Sequence, residues 1–291
     1  MTDSIAYKGT IVVSGATGKQ GGATARHLLK RRFRVRAMTR NLEQLAAKQL
    51  VSLGAELVHA DLDDRNSLER AIEGADGLFS VQNFWKVGYE HEIAQGKCLA
   101  DLAKSFGVRH LIYTSVASCY RKTGIPHWES KWQIEQYIRE LGLPYTILRP
   151  TSFMDDWVDM KSEIFAGMFA QPLDPQRSLQ QIAVDDIGAF AAIAFDNPKE
   201  WLGREIALAG DNSSMEEITA AFSRVIGREV QYVQTPWDKF QEKFGDDMTT
   251  MYRWFNENDM EADINYLRSI YPSLTTFEQH LVRGGWSTVK E

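Results

Sequence analysis

Short apolar runs and longer amphipathic stretches alternate along the first half of the chain. The runs, at 10–14, 35–39, 56–60, 77–81, 110–114 and 145–148, are rich in β-branched and aromatic residues. Between them apolar residues return every three or four positions, at about 20–31, 42–53, 65–73, 90–106 and 128–141. The first pattern predicts strands, and the second predicts helices with one buried face. Gly54, Gly74, Gly107 and Gly142 each follow one of the helices, where a left-handed residue ends the last turn without a Cβ penalty. Such alternation predicts an α/β fold, a doubly wound parallel sheet with helices on both faces.

After Arg149-Pro150 the rhythm breaks. A stretch rich in Met, Phe and Trp from Phe153 to Phe169 leads to the turn Gln171-Pro172-Leu173-Asp174-Pro175. Strands are predicted at 182–184, 204–209 and 229–235. One helix, opened by Asp185 or Asp186, should run to Phe195, and another, with Glu216 and Glu217 in its first turn, should cover 214–226. Aromatic-rich helices follow from Trp237. The expected organisation is a sheet domain over 1–152 and a smaller C-terminal α+β cap domain over 153–291, parts of which can interleave with the sheet.

Composition narrows the class. Hydrophobic residues make up 44% and charged residues 25% of 291, a globular balance that excludes a collagen-like or coiled-coil chain and permits a sizeable core. No apolar run approaches the ~20 residues that span a bilayer, and the first ten residues lack the segments of a secretory leader. A cytoplasmic protein without membrane association is expected. Cys98 and Cys119 form no knuckle or CxxC pair and the histidines no HxxH pattern, so no metal site is expected. Net charge is split: residues 1–150 carry 21 Lys+Arg against 15 Asp+Glu, residues 151–291 carry 12 against 24. The acidic second half and the lack of a basic recognition helix argue against direct nucleic-acid binding.

The basic half contains a phosphate-binding signature. Gly15-Ala16-Thr17-Gly18-Lys19-Gln20-Gly21-Gly22 ends the first strand and opens the first helix. Glycines at 15, 18 and 21 permit a tight turn, close approach to a pyrophosphate and close packing of helix on strand, with the helix N-terminus facing the anion. The strand-turn-helix setting makes this a Rossmann dinucleotide site. At the end of the second strand stands Thr39-Arg40-Asn41, with no acidic residue before Glu43. An arginine there suits the 2′-phosphate of NADP(H), whereas NAD sites place a carboxylate on the ribose. Arg26, Lys30, Arg31, Arg32, Arg34 and Arg36 add positive charge around it, although Arg34 and Arg36 are better candidates than Arg40 for merely solvated side chains. Asp61-Leu62 ends the third strand, where Asp61 reads either as a helix N-cap or as an adenine contact. Gln82-Asn83-Phe84-Trp85 ends the fourth and suits the middle of the cofactor and the substrate side.

These residues, with Gly54-Ala55-Glu56, Asp63-Asp64, Gln95-Gly96-Lys97, Ala100-Asp101-Leu102-Ala103, Lys131 and Leu148-Arg149-Pro150, resemble the NmrA-like family of atypical short-chain dehydrogenases/reductases. The likeness covers the first 155 residues well and the rest by layout and Val184-Asp185-Asp186-Ile187-Gly188. It implies NADP(H) bound by Gly15, Ala16, Thr17, Gly18, Lys19, Gln20, Gly21, Arg40, Asp61, Leu62, Gln82, Asn83, Phe84, Lys131 and Phe153. Ordinary members of the superfamily carry a YxxxK pair, whose lysine holds the nicotinamide ribose and whose tyrosine protonates the substrate. The corresponding segment here is His127-Trp128-Glu129-Ser130-Lys131. A histidine can donate a proton near neutrality, or be a capping or surface residue. Ser115, beside Thr114, matches the position of the usual serine and reads equally as a turn cap.

Two functions follow. The family implies a redox sensor or regulator that responds to NADP(H) and acts on a protein partner, with transcriptional regulation as the setting. The alternative is an NADPH-dependent reductase of a quinone-like or small aromatic substrate, with Phe84, Trp85, Phe153, Met154 and Trp157 forming an apolar wall. Either works as a monomer or homodimer.

Overall fold

The structure is a computed structural model and describes residues 8–287. Strands β1 (Thr10–Val13), β2 (Arg34–Thr39), β3 (Glu56–His59), β4 (Gly77–Ser80), β5 (His110–Thr114) and β6 (Tyr145–Pro150) alternate with helices α1 (Lys19–Lys30), α2 (Leu45–Ser52), α3 (Arg65–Ile72), the short α4 (Phe84–Val87), α5 (Tyr89–Ser105) and α6 (Pro126–Leu141). They form a sheet of order β10-β6-β5-β4-β1-β2-β3. Every pairing from β3 across to β6 is parallel. All residues of β4 and β5 are buried, as continuous apolar runs covered on both faces should be. Leu68, Ile72, Leu99, Leu102, Leu111, Ile134 and Ile138 belong to one core cluster beneath α3, α5 and α6. The strand order reverses between β1 and β4, and the carboxyl ends at that switch point are where such sheets take ligands.

Among the described residues the chain makes two compact units. The first comprises residues up to Cys119, His127–Arg149 and Val184–Ile206; the second comprises Tyr120–Pro126, Pro150–Ala183 and the chain from Ala207 on. The strand expected at 182–184 stops at Ile182, because Val184 already opens α8 (Val184–Asp196). All of α8 except Asp185 and Asp196 is buried, as a helix that is apolar nearly all round must be. It lies on α1 so closely that a Cβ on Gly188 would stand 2.5 Å from the carbonyl carbon of Ala23. The short α9 (Pro198–Trp201) then leads to β10 (Glu205–Leu208), which extends the sheet beside β6.

The second unit has mixed small sheets. β7 (Ser152–Phe153), β9 (Ser178–Ile182) and β11 (Asp211–Ser214) form one, with β9 antiparallel to β11 and parallel to β7. β8 (Met168–Gln171) pairs in parallel with β12 (Gln231–Gln234). Helices α7 (Lys161–Phe165), α10 (Met215–Ile226), α11 (Trp237–Glu257), α12 (Ile264–Ile270) and α13 (Phe277–Arg283) complete it. Ser214 and Glu217 form a reciprocal capping box on α10. Phe222 anchors the core, its ring centroid 5.3 Å from those of Phe169, Phe277 and Trp286.

Candidate dinucleotide site

The glycine turn is built by exclusion. Gly15 is left-handed, at φ 56°, and a Cβ there would stand 2.9 Å from Val81 Cγ1. A Cβ on Gly21 would lie 2.3 Å from the carbonyl oxygen of Gly15, so the first turn of α1 rests directly on the loop backbone. Gly18, the N-cap residue, has no side chain to cap the helix, and no acidic side chain stands in the first turn. A partial positive charge therefore faces outward, with Gly15 and Gly18 exposed. Ser14, not singled out from the sequence, fixes this loop against the end of β4: its Oγ accepts from Val81 N at 2.8 Å and donates to Val81 O at 3.1 Å. Its signal is a polar residue at the end of the apolar run Ile11-Val12-Val13. Thr114 Oγ1 donates to Gln20 Oε1 at 2.6 Å, tying the end of β5 to α1. A cleft of about 350 Å³ lies beside the turn, lined in part by Thr17, Gly18, Gly22, Arg26, Gln49 and Leu53.

At the end of β2 the loop is pinned by Thr39, whose Oγ1 accepts from Asn41 N at 3.2 Å and from Gln44 Nε2 at 2.7 Å. Arg40 projects from this pinned turn with its side chain 64% exposed and its guanidinium 4.0 Å from Asp61 Oδ2. So exposed and loose a pair contributes little stability. The two readings of Asp61 are separated here, since Asp64 is the N-cap of α3, accepting from Asn66 N and Ser67 N. Leu62 packs partly against the core.

The rest of the basic run is placed elsewhere. Lys19 to Lys30 spans about 17 Å at 1.5 Å per residue, which carries the end of α1 back to the amino edge of the sheet. Lys30, Arg31, Arg32, Arg34 and Arg36 therefore lie at or toward that edge. Arg31 pairs there with Asp196 at 3.0 Å, and Arg36 donates to the carbonyls of Ala71 and Glu73. Only Arg26 and Arg40 remain toward the glycine turn, a correction to the idea that the whole run draws in a phosphate.

Gln82 is buried and donates to Ser80 Oγ at 2.9 Å, but among the described residues its Oε1 has no hydrogen-bond partner. A buried acceptor left without a donor is costly, and its chemistry suits a hydroxyl or amide donor rather than an anion. Asn83 is the exposed N-cap residue of α4. The glycine cradle, the exposed guanidinium and this acceptor together fit the phosphates and the hydroxyls of a dinucleotide.

His127 and Lys131 lie one turn apart on α6. His127 is buried, with the Trp85 ring 4.9 Å and the Phe84 ring 5.7 Å from its own. Lys131 Nζ stands 2.5 Å from Glu92 Oε1, and Glu92 is fully buried while Lys131 is 16% exposed. Ser130 Oγ donates to the other carboxylate oxygen. Glu92 is not among the residues that the sequence predicts for the site, although it sits on the core stripe of α5 one turn before Gly96 and two before Leu99. Close packing explains the contact: a Cβ on Gly96 would stand 2.5 Å from Ile134 Cδ1, and one turn earlier on both helices Glu92 meets Ser130.

Ser115 is buried, its hydroxyl 3.6 Å from Cys119 Sγ, and Cys119 donates to Glu135 Oε1 at 3.2 Å. Burial and the neighbouring Glu135 carboxylate push the Cys119 thiol far above the usual range, so it is an inert core group. Cys98 is half-buried, its thiol pushed up by burial. Phe153 lies in the second unit, half-buried and in register with Ile182. Met154 and Trp157 are buried; Trp157 donates to Gln181 Oε1 at 2.5 Å and meets Phe169 edge-on. Core packing thus claims two members of the expected apolar wall, leaving Trp85 as the most open ring, 60% exposed. Among the described residues there is no cluster of three or more His, Cys, Asp or Glu able to hold a metal, and no helix long and apolar enough to cross a membrane.

The model of the NmrA-like family matches residues 7–291. The chain belongs to the NmrA-like family. It is 30% identical to the NmrA-like family domain-containing oxidoreductase FrzB of Cladobotryum sp., over 94% of this chain and 95% of that protein. It is 33% identical to the nitrogen metabolite repression protein nmrA of Emericella nidulans, over 79% of this chain and 69% of that protein. Among solved structures, NmrA, a negative transcriptional regulator in complex with NADP, superposes with a TM-score of 0.81 at 26% identity, covering 95% of each chain. The NmrA-like family therefore includes proteins named as regulators and proteins named as oxidoreductases, so membership does not choose between them.

Proposed function

We infer that this chain binds NADP(H) in its first unit and acts as a regulator whose engagement of a protein partner depends on the dinucleotide it holds. Gly15, Ala16, Thr17, Gly18, Lys19, Gln20 and Gly21 would hold the pyrophosphate, Arg40 the 2′-phosphate, Asp61 and Leu62 the adenine side, Gln82, Asn83 and Phe84 the middle, and Lys131 the nicotinamide ribose. The observation that carries the regulatory reading is the ion pair of Lys131 with fully buried Glu92, beside a histidine where reductases of the wider superfamily keep a tyrosine. A lysine whose charge is matched by a carboxylate at 2.5 Å still donates hydrogen bonds. It exerts little field on a neighbouring acid, which removes half of the usual proton-donating pair. Both cysteines are free, which supports a reducing compartment, the cytoplasm.

A specific observation favours a second reading. Trp85 presents an open ring over His127, a surface on which a flat aromatic substrate can lie. Bound NADPH would supply hydride; His127 would be the nearby proton donor, and Ser115 would serve only if its hydroxyl turned from Cys119.

The readings separate by NADPH oxidation, followed optically against quinones and enals beside Lys131→Ala. The regulator predicts no turnover above background in a protein that binds NADP⁺. Turnover that is lost in Lys131→Ala would replace the regulator with the reductase. Arg40→Ala is expected to weaken NADP⁺ about 10- to 100-fold, the size of a lost charge-assisted contact of ~1.5–3 kcal/mol, while NAD⁺ binding changes little. Equal weakening of both would remove Arg40 from the 2′-phosphate.

A further inference from the structure

We propose that Glu92 is a positioning residue, a buried carboxylate that fixes the Lys131 ammonium as a clamp for the nicotinamide ribose. The proposal rests on the dinucleotide reading of the site and adds to it a residue outside the glycine turn and outside the His127-Lys131 pair. A lysine side chain has many rotamers, and its free ammonium is a mobile point charge. Here it has one place. Glu92 Oε1 holds Nζ at 2.5 Å, Ser130 holds the second carboxylate oxygen, and the carboxylate is wholly shielded from solvent. The backbone enforces the arrangement, because α5 and α6 approach to the limit set by Gly96 against Ile134. An ammonium has three N–H donors. One is directed at Glu92, and the ammonium of this partly exposed side chain has two others to offer to ribose hydroxyls. Preorganisation of this kind lowers the ordering cost of binding.

The glutamate therefore matters for the nicotinamide half of the cofactor and not for the adenosine half. Glu92→Gln is isosteric and keeps a hydrogen-bonding side chain, but removes the charge that fixes Nζ. Calorimetric titration of this variant with NADP⁺ and with 2′,5′-ADP, which lacks the nicotinamide riboside, reads the two halves separately. NADP⁺ affinity is expected to fall about tenfold, as when one hydrogen bond of ~1.4 kcal/mol is lost, while 2′,5′-ADP binds as in the unaltered protein. In a Lys131→Ala background the same substitution should cost NADP⁺ nothing further, since its effect passes through the lysine. A defect confined to folding would weaken both ligands together and would persist without Lys131.

Glu92→Asp keeps the buried charge and withdraws it by one methylene; it is expected to give the same split at smaller size, and it serves if Glu92→Gln does not fold. Unchanged NADP⁺ affinity in a folded Glu92 variant overturns the proposal, as does an equal loss for both ligands. If the unaltered protein binds neither ligand, the dinucleotide reading itself fails and the proposal with it.

Discussion

Gly21→Ala is expected to abolish measurable NADP(H) binding. The added methyl would stand 2.3 Å from the carbonyl oxygen of Gly15, 2.6 Å from its carbon and 2.6 Å from the oxygen of Ser14. All three are backbone atoms and cannot rotate away. Relief requires the first turn of α1 to lift from the loop, and Gly15 cannot yield easily, being left-handed and closed in by Val81. Overpacking of this kind costs about 1–3 kcal/mol of stability, but the loss to binding is larger because the phosphate-facing amides move together. An affinity loss of more than about 100-fold, over ~2.7 kcal/mol, is the expected size. Thermal melts with and without NADP⁺ check it: the unaltered protein gains stability with ligand by mass action, and Gly21→Ala gains none. A variant with the full ligand-induced shift would mean that the cofactor does not sit on this turn.

Arg149→Met is expected to destabilise the first unit by about 3 kcal/mol, the lower end of the usual cost of breaking a buried ion pair, because Arg139 stays on Glu135. Glu135 is fully buried and holds Arg149 through Nε at 2.9 Å and an NH2 group at 2.6 Å, with Arg139 on one of the same oxygens at 2.7 Å. Glu205, on the edge strand β10, joins both arginines at 2.5–2.8 Å. The network thus ties β6, α6 and the returning β10 into one body. Against a total of about 5–15 kcal/mol, its loss should appear as a large fall in urea midpoint. Arg224→Ala, which breaks an exposed pair with Glu278, should cost less than about 1 kcal/mol. The acid limb gives a second check. The hydrogen bond from Arg139, and then the charge of Arg149, lower the Glu205 carboxyl from 4.5 to about 2. That stabilisation is complete above pH 4.5 and is lost as pH falls toward 2, so Arg149→Met should show a flatter acid limb. Equal urea midpoints for Arg149→Met and Arg224→Ala would contradict this account of the network.

The parallel sheet was legible because its strands are continuous apolar runs and its helices carry one apolar face, two periods that local sequence records directly. The glycine turn was legible for the same reason, since backbone contact at Gly21 admits no other residue. Arg40 and Asp61 could be placed because parallel strands deliver their carboxyl ends to one edge. Lys30, Arg31 and Arg32 were credited to the phosphate by counting charge without chain direction, which sends the end of α1 to the opposite edge, whereas Arg34 and Arg36 already read as better candidates than Arg40 for merely solvated side chains. Partners distant in sequence were the least legible. Glu92 with Lys131, and Glu135 with Arg149 and Glu205, are decided by how α5, α6 and β10 pack, and sequence offered only the hint of a carboxylate on a buried stripe. The return of α8 to the first unit was likewise written only as a helix too apolar to have a wet face. Met154 and Trp157, expected in a wall, went to the core because an aromatic-rich segment looks alike in either role.

The central claim, that this NmrA-like protein reads NADP(H), requires it to distinguish NADP from NAD, because a ligand bound equally well cannot report which dinucleotide is present. Calorimetric titration of the unaltered protein with NADP⁺ and NAD⁺ in one buffer, at one salt concentration, is the most direct test. The exposed guanidinium of Arg40, on a pinned turn and only loosely paired with Asp61 at 4.0 Å, predicts that NADP⁺ binds at least about tenfold tighter, a difference of ~1.4 kcal/mol. Equal affinities, tighter binding of NAD⁺, or no binding of either would contradict it.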